Sequence, residues 1–226
     1  MRLKKLGAAL VVVAALGAVL ASSAFAAATT TDVKWYTGAS PGTELSGSAE
    51  AKTSQVGSST FETTVSGVAI KLHSTNTECV ECKIENSGGT AVGSGKAKFT
   101  GVTVQEPATC SVASSITTTK LTWKADYMIG TVNYILFEPA AGSTTAMATI
   151  ELTGASCPIK TAIVPKGTVF VKMQNTTGTQ AAEQKVNLSA AINTTAGGTL
   201  HVGEEPASMS AVTANRLASG SQFGTH

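Results

Sequence analysis

Charged and aromatic side chains are scarce in this 226-residue chain. Asp, Glu, Lys and Arg together make up 13% of it, and Phe, Trp and Tyr make up 5%. The 16 basic and 14 acidic residues nearly balance, so there is no excess of Lys and Arg of the kind that binds nucleic acid or an anionic membrane surface. We therefore expect no nucleic-acid partner, and a core filled mainly by Val, Ile, Leu and Ala.

Side chains that commonly bind metals or carry catalysis are equally few. The chain has three histidines, His73, His201 and His226, and two aspartates, Asp32 and Asp126. The sequence contains no HExxH motif, Asp-rich calcium loop, GxSxG elbow or P-loop. We expect no cofactor and no metal site, and we predict that the protein is not an enzyme. The glycine–serine stretches "GSGKAK" (93–98) and "ASGSQ" (218–222) are interpreted as loops.

The first 26 residues have the pattern of a secretory signal peptide. A basic start, "MRLKK", precedes an apolar run from Leu6 to Leu20, and "AFA", ending at Ala26, is a small-x-small cleavage site. The apolar run is short for a membrane anchor, which needs about 20 residues. Removing the three basic residues of this segment leaves 13 basic and 14 acidic residues, a net charge of −1. We predict cleavage after Ala26, and a secreted mature protein without membrane insertion.

The mature chain has the two-residue periodicity of β-strands. In "LTWKADYMI" (121–129) every second residue, from Leu121 through Trp123 and Tyr127, is predicted to share one apolar face. Similar alternation occurs in "VAIKL", "TVFVKM", "KVNLSAAI" and "SMSAVTANRL", and turn patterns such as "NSGGT" and "PAAGS" separate the strands. Helix-length patterns with a period of 3.6 are absent. The sequence predicts one all-β domain, residues 27–226, of about ten or more short antiparallel strands.

A disulfide-bonded β-sandwich is the favoured arrangement, with a partly open β-barrel as the alternative. Residues 27–31 and the last few residues are expected to be loose ends. The pieces "CVECKIEN", "YILFEPAAG", "ATIELTGASCPI" and "INTTAGGTL" resemble a group of secreted β-rich proteins of soil actinobacteria with no assigned activity. The resemblance implies export and a β fold, and it transfers no active-site residue.

Four cysteines, Cys79, Cys82, Cys110 and Cys157, favour two disulfides in an exported chain. A redox Cys-x-x-Cys site is disfavoured because no helix follows it, and because neighbouring carboxylates raise a thiol pKa. A four-cysteine zinc site remains an alternative. Cys79–Cys82 with Cys110–Cys157 is the favoured pairing and requires a tight turn at the first pair. In the other pairings Cys79 and Cys82 reach separately to Cys110 and Cys157.

Two sets of side chains are the candidates for function. Asp126, Glu138 and Glu151 lie in or beside predicted strands. Glycan hydrolysis would need two of these carboxylates to converge. Solvent-facing positions are favoured for all three. Trp35 and Tyr36 are candidate ligand contacts, and as strand neighbours they should point in opposite directions. We expect a non-enzymatic extracellular or envelope-associated structural or binding module. The alternatives are a carbohydrate-binding module and, less favoured, a glycan hydrolase. The sequence does not identify a partner; a cell-wall or extracellular glycan is one candidate, and weak self-association is another.

Overall fold

The computed structural model describes residues 29–30, 32–175 and 178–226, and the predicted signal peptide lies outside them. The described residues form 21 strands and one helix, α1 (Ala190–Ala196). The strands are β1 (Thr29–Thr30), β2 (Trp35–Thr37), β3 (Thr43–Glu44), β4 (Ser48–Gln55), β5 (Ser59–Val65), β6 (Val68–Ser74), β7 (Asn76–Ser87), β8 (Thr90–Thr100), β9 (Thr103–Glu106), β10 (Ser111–Val112), β11 (Ser115–Thr117), β12 (Leu121–Ile129), β13 (Val132–Pro139), β14 (Leu152–Thr153), β15 (Pro165–Lys166), β16 (Val169–Met173), β17 (Gln184–Leu188), β18 (His201–Val202), β19 (Glu205–Pro206), β20 (Ser208–Leu217) and β21 (Phe223–Thr225).

Eight of these strands form a closed antiparallel sheet. In chain order they are β4, β7, β8, β12, β13, β16, β17 and β20; each pairs with the next, and β20 pairs back with β4. Because the last strand meets the first, this circuit has no unpaired edge and is barrel-like. The predicted all-β antiparallel fold is confirmed. Of the sandwich and barrel arrangements, the main sheet takes the barrel-like one, and it is closed.

The long connections between barrel strands all leave from one end, which we call the upper end. There β4 ends and β5 and β6 follow, β8 is followed by β9 to β11, and β17 is followed by α1. The start of β20, Ser208–Ser210, pairs with β5 and joins the sheet β5–β6–β9 to the barrel. At the lower end β7 turns directly into β8, and β12 into β13. Beside it, β2 pairs with β3 and with β21.

Helix α1 interrupts a segment whose alternation predicted a continuous strand, "KVNLSAAI" (185–192). Strand β17 ends at Leu188, and Ser189 then caps the helix by accepting a hydrogen bond on Oγ from the N–H of Ile192 (3.2 Å). Gly197 ends the helix in the left-handed conformation, with φ of 88°. Alternation of Val, Leu, Ala and Ile does not separate a strand from a short helix, so the predicted boundary here was wrong.

Apolar side chains gather in three clusters. The largest fills the barrel and its lower end, with Trp35, Trp123 and Phe223 among its members. The second lies under the β5–β6–β9 sheet, around Ile70, Ile163 and the disulfide half Cys157. A third, small cluster lies where α1 packs on the outside of β13 and β16. The barrel thus has an apolar interior and an apolar layer above it.

Three local expectations were wrong. Strand β12 has a β-bulge between Lys124 and Tyr127, so Tyr127 leaves the face of Trp123 and packs edge-to-face on Phe170 at 5.1 Å between ring centroids. The "GSGKAK" stretch lies inside strand β8 rather than in a loop. Of the two expected loose ends, the residues that the structure describes are paired, while residues 27, 28 and 31 lie outside the described residues. Residues Thr29–Thr30 pair with β12, and Phe223–Thr225 form the buried strand β21.

Candidate functional site in the barrel interior

From Ala91 to Ala97 the interior face of β8 carries almost no side-chain volume. Register with β7 and β12 places Ala91, Gly93, Gly95 and Ala97 on this face. A Cβ atom at Gly93 would lie 2.1 Å from Nε1 of Trp123, so only glycine accommodates the indole there. The glycines that suggested a loop in the sequence are therefore the positions at which larger groups cross the barrel interior.

An internal cavity of about 260 Å³ lies within and above the barrel. Its walls come from the inner faces of the barrel strands, and its roof comes from the upper insertions, through Phe61, Met147 and Leu200. Eight-stranded barrels have an interior that side chains just fill, or that holds one small ligand. Here the small side chains on β8 and on β4, such as Ala51, leave part of the interior unfilled.

The two sides of the cavity differ in polarity. The side formed by β8, β12, β13 and β16 presents apolar side chains such as Trp123, Ile135 and Val171. The side formed by β7, β4 and β20 adds neutral polar groups to apolar side chains such as Ala51, Ile84 and Met209. We call the set Thr53, Thr77, Thr213 and Asn215 the polar stripe. The interior is therefore apolar on one wall and able to form hydrogen bonds on the other.

Trp35 closes the lower end of the cavity. Its side chain is 2% exposed, packs against Phe223 at 6.1 Å between ring centroids, and donates from Nε1 to the carbonyl of Val92 (2.9 Å). Asn86 holds strand β2 in place. Its Oδ1 accepts from the N–H of Trp35 (2.7 Å), and its Nδ2 donates to the carbonyls of Trp35 (3.0 Å) and Leu45 (3.1 Å). Sequence reasoning missed Asn86, because no motif marks such a clamp.

The predicted ligand contacts Trp35 and Tyr36 do point in opposite directions. Trp35 lines the internal cavity, so it takes no part in an exposed aromatic platform. Tyr36 is half-buried and packs edge-to-face on His226 at 5.3 Å between ring centroids. A second cleft, of about 580 Å³, lies between β5–β6 and α1 and contains the ion pair of Lys71 with Glu62 (2.9 Å). Its described lining includes no aromatic side chain for sugar stacking.

All four cysteines form disulfides, with the favoured pairing. Cys79 is bonded to Cys82 and Cys110 to Cys157, so no free thiol is left for a zinc site. The turn needed by the first pair lies inside strand β7, as a bulge at which Glu81 has φ of 55°. The inner wall at Gly95 accommodates this bond, because a Cβ there would lie 2.1 Å from Sγ of Cys82.

Two of the three candidate carboxylates, Asp126 and Glu138, do not form a catalytic pair. Asp126 is buried, Glu138 is partly buried and Glu151 is exposed. Glu138 is paired with Thr122, four residues before Asp126 on β12, which separates the two carboxylates by roughly 13 Å along the strand. Glycosidase pairs lie about 5 to 9.5 Å apart. The expectation of a solvent-facing Asp126 was wrong, because the bulge in β12 buries it.

Burial sets the electrostatics of Asp126. Removal from water raises the pKa of its carboxyl group above the ordinary value of 3.8; a backbone hydrogen bond and the charge of Lys124 act in the opposite direction. Burial likewise raises the pKa of Tyr127. Among the described residues, no three His, Cys, Asp or Glu side chains come together as a metal site would require.

Comparison with known proteins identifies no relative, since no family model, curated protein or solved structure matches the chain. Within the described part of the chain, no helix is long and apolar enough to cross a membrane.

Proposed function

We propose that this protein is an exported binding protein that holds one small, largely apolar molecule inside its barrel. The cavity of about 260 Å³, lined mainly by inward-facing apolar side chains, is the observation that carries the proposal. An apolar cavity of about 150 Å³ is sufficient for benzene. The barrel interior therefore suits a molecule about the size of a bicyclic aromatic hydrocarbon.

Two further observations support this function in an extracellular setting. The signal-peptide pattern of residues 1–26 directs the chain to export, and disulfides persist in the oxidising conditions outside the cytosol. Binding without catalysis is part of the proposal, since Asp126 and Glu138 lie too far apart to act as a glycosidase pair. A glycan contact at Tyr36 and weak self-association stay predictions.

Naphthalene is a suitable first probe, because it is rigid, uncharged and of the expected size. Both tryptophans of the chain, Trp35 and Trp123, line the cavity, so their fluorescence reports on occupancy. We expect saturable quenching by naphthalene and a rise in the unfolding temperature, since a ligand that binds only the folded state stabilises it.

A pair of matched variants tests where the probe binds. Ala97→Leu adds a side chain to the inner wall of β8, and Ser94→Leu adds the same side chain to its outer face. We expect Ala97→Leu to abolish binding and Ser94→Leu to leave it unchanged. Ala51→Leu fills the cavity from β4 and serves if Ala97→Leu fails to fold. A folded wild-type protein that binds neither naphthalene nor its hydroxylated analogue 2-naphthol, or a folded cavity-filling variant that binds the probe equally well, contradicts the proposal.

A further inference from the structure

The polar stripe lies on three adjacent barrel strands. Asn215 on β20 is directly opposite Thr53 on β4, and Thr213 is opposite Gln55, which itself accepts a hydrogen bond from the hydroxyl of Thr77 on β7. These side chains share the inward parity of Ala51 and Leu217, which belong to or pack on the barrel core. The neutral polar groups thus form one continuous band inside the apolar barrel.

Part of the hydrogen-bonding capacity of the polar stripe is already used. The hydroxyl of Thr53 donates to Oδ1 of Asn215 (2.6 Å), and Nδ2 of Asn215 donates to the carbonyl of Gln184 (3.2 Å). These two bonds fix the orientation of the Asn215 amide, and its second N–H remains available.

The hydroxyl of Thr213 makes no hydrogen bond to any described residue, although Thr213 lines the cavity. A hydroxyl can both donate and accept. Thr213 and Asn215 are two residues apart on β20 and face the same way, about 7 Å apart along the strand. Together they offer a ligand one donor–acceptor group and one donor.

Charge in the cavity lining restricts the ligand further. The lining includes no Lys or Arg. It has one histidine, His73 on β6, and one carboxylate residue, Glu78, which is ion-paired with Lys98 at 2.8 Å. A carboxylate or phosphate held beside Thr213 would be removed from water without a lysine or arginine partner, which is costly. A neutral oxygen would be hydrogen-bonded there at little cost.

Resting on the proposed function, we propose that the ligand is a neutral oxygenated molecule, an alcohol, ketone or ester. Its apolar body contacts the wall of Trp123, Ile135 and Val171, and its oxygen is bound by Thr213 and Asn215. The polar stripe orients the ligand and selects against both pure hydrocarbons and anions.

Three probes with the same ring skeleton test this assignment: naphthalene, 2-naphthol and 2-naphthoate, titrated at pH 7 by calorimetry. We expect 2-naphthol to bind about threefold to tenfold more tightly than naphthalene, the effect of one hydrogen bond. We expect 2-naphthoate to bind at least about 100-fold more weakly than 2-naphthol, because of its unpaired charge.

Variants of the stripe assign the preference to a residue. Thr213→Val should reduce 2-naphthol to the affinity of naphthalene while leaving naphthalene binding within about twofold. Thr213→Ser keeps the hydroxyl and should keep the preference. Thr122→Val, on the outer face of β12, is the control for a Thr-to-Val change and should alter neither affinity.

The outcomes separate the two proposals. If naphthalene binds but 2-naphthol binds no better, or if Thr213→Val leaves the preference intact, the assignment of a neutral oxygenated ligand is wrong and the cavity proposal stands. Tight binding of 2-naphthoate also overturns the assignment. If none of the three probes binds, both proposals are wrong.

Discussion

The indole of Trp123 occupies the space that a side chain at Gly93 would need. The two residues are directly opposite on β12 and β8, and a Cβ at position 93 would lie 2.1 Å from Nε1 and 2.2 Å from Cε2 of the indole. The rigid ring cannot move aside within a packed wall, so these two positions depend on each other. Because β8 has no side chain at Gly93, the barrel interior has room for the indole of Trp123 on the neighbouring strand β12.

Gly93→Ala should therefore destabilise the protein. Overpacking of a core typically costs about 1 to 3 kcal/mol, and we expect a loss in this range in urea unfolding. Ser94→Ala, on the outer face of the same strand, should change stability by less than about 0.5 kcal/mol. In the double variant Gly93→Ala with Trp123→Leu the clash is removed, so its loss should be smaller than the sum of the single losses. Additive losses would contradict the contact.

Removal of the clamp at Asn86 should loosen the lower end. Asn86→Ala removes three hydrogen bonds and leaves the backbone N–H of Trp35 without its acceptor, whereas the Trp35 carbonyl keeps the bond from the N–H of Leu45 (2.8 Å); the loss should be about 1 to 3 kcal/mol. Trp35 emission should shift to the red as its surroundings admit water. Asn86→Asp keeps the acceptor but places a carboxylate oxygen against the carbonyls of Trp35 and Leu45, so its loss should equal or exceed that of Asn86→Ala. A wild-type emission spectrum and midpoint for Asn86→Ala would count against this role.

The two disulfides should differ in their effect on stability. Cys110–Cys157 spans 47 residues of sequence and Cys79–Cys82 spans 3. In the loop-entropy model, replacing the long-range pair with two alanines should cost about 4 kcal/mol, and replacing the short-range pair about 2 kcal/mol. Urea unfolding of the two double-alanine variants measures both losses. Equal losses, or a larger loss for the short-range pair, would show that strain or packing outweighs chain entropy here.

Asp126 should make stability depend on pH. Burial raises its pKa in the folded state above 3.8, so between that value and the folded pKa the folded protein binds more protons than the unfolded chain. The contribution of Asp126 to stability therefore decreases as pH rises through this window. Asp126→Asn removes this effect.

The pH effect is read from the difference between wild type and variant, since other carboxylates titrate in the same range. The free energy of unfolding of Asp126→Asn minus that of the wild type should be larger at pH 7 than at pH 3. Ser94→Ala, on the outer face of β8, removes no titratable group; it is the control and should give a constant difference. A constant difference for Asp126→Asn as well would rule out the effect.

Several strands could be predicted almost to the residue. The alternation in 121–129 and 208–217 matches β12 and β20, and the favoured disulfide pairing is confirmed. These features are local: a period of two residues, turn residues, and the limited reach of a disulfide. The position of Tyr127 could not be predicted, because a bulge depends on the partner strand and reverses every face after it.

Almost none of the candidate site could be predicted from the sequence. Trp35 was recognised as a candidate contact, although for an exposed surface, whereas Thr213 and Asn215 are ordinary residues of a predicted strand. Gly93 and Gly95 had the composition of a loop and lie in the centre of a barrel wall. Whether a polar or small residue contributes to a cavity depends on the side chains that face it from other strands.

By itself, then, the sequence determined the strand-rich composition, most strand positions and the supply of cysteines, because these are read from the residues themselves and their near neighbours. Only the tertiary structure decided that β20 returns to pair with both β17 and β4, closing the sheet around a cavity. Closure is a long-range pairing between the ends of the chain, and no local preference encodes it. For the same reason, whether an inward-facing residue fills space, leaves it open or offers a hydrogen bond was settled only by strands far away in sequence.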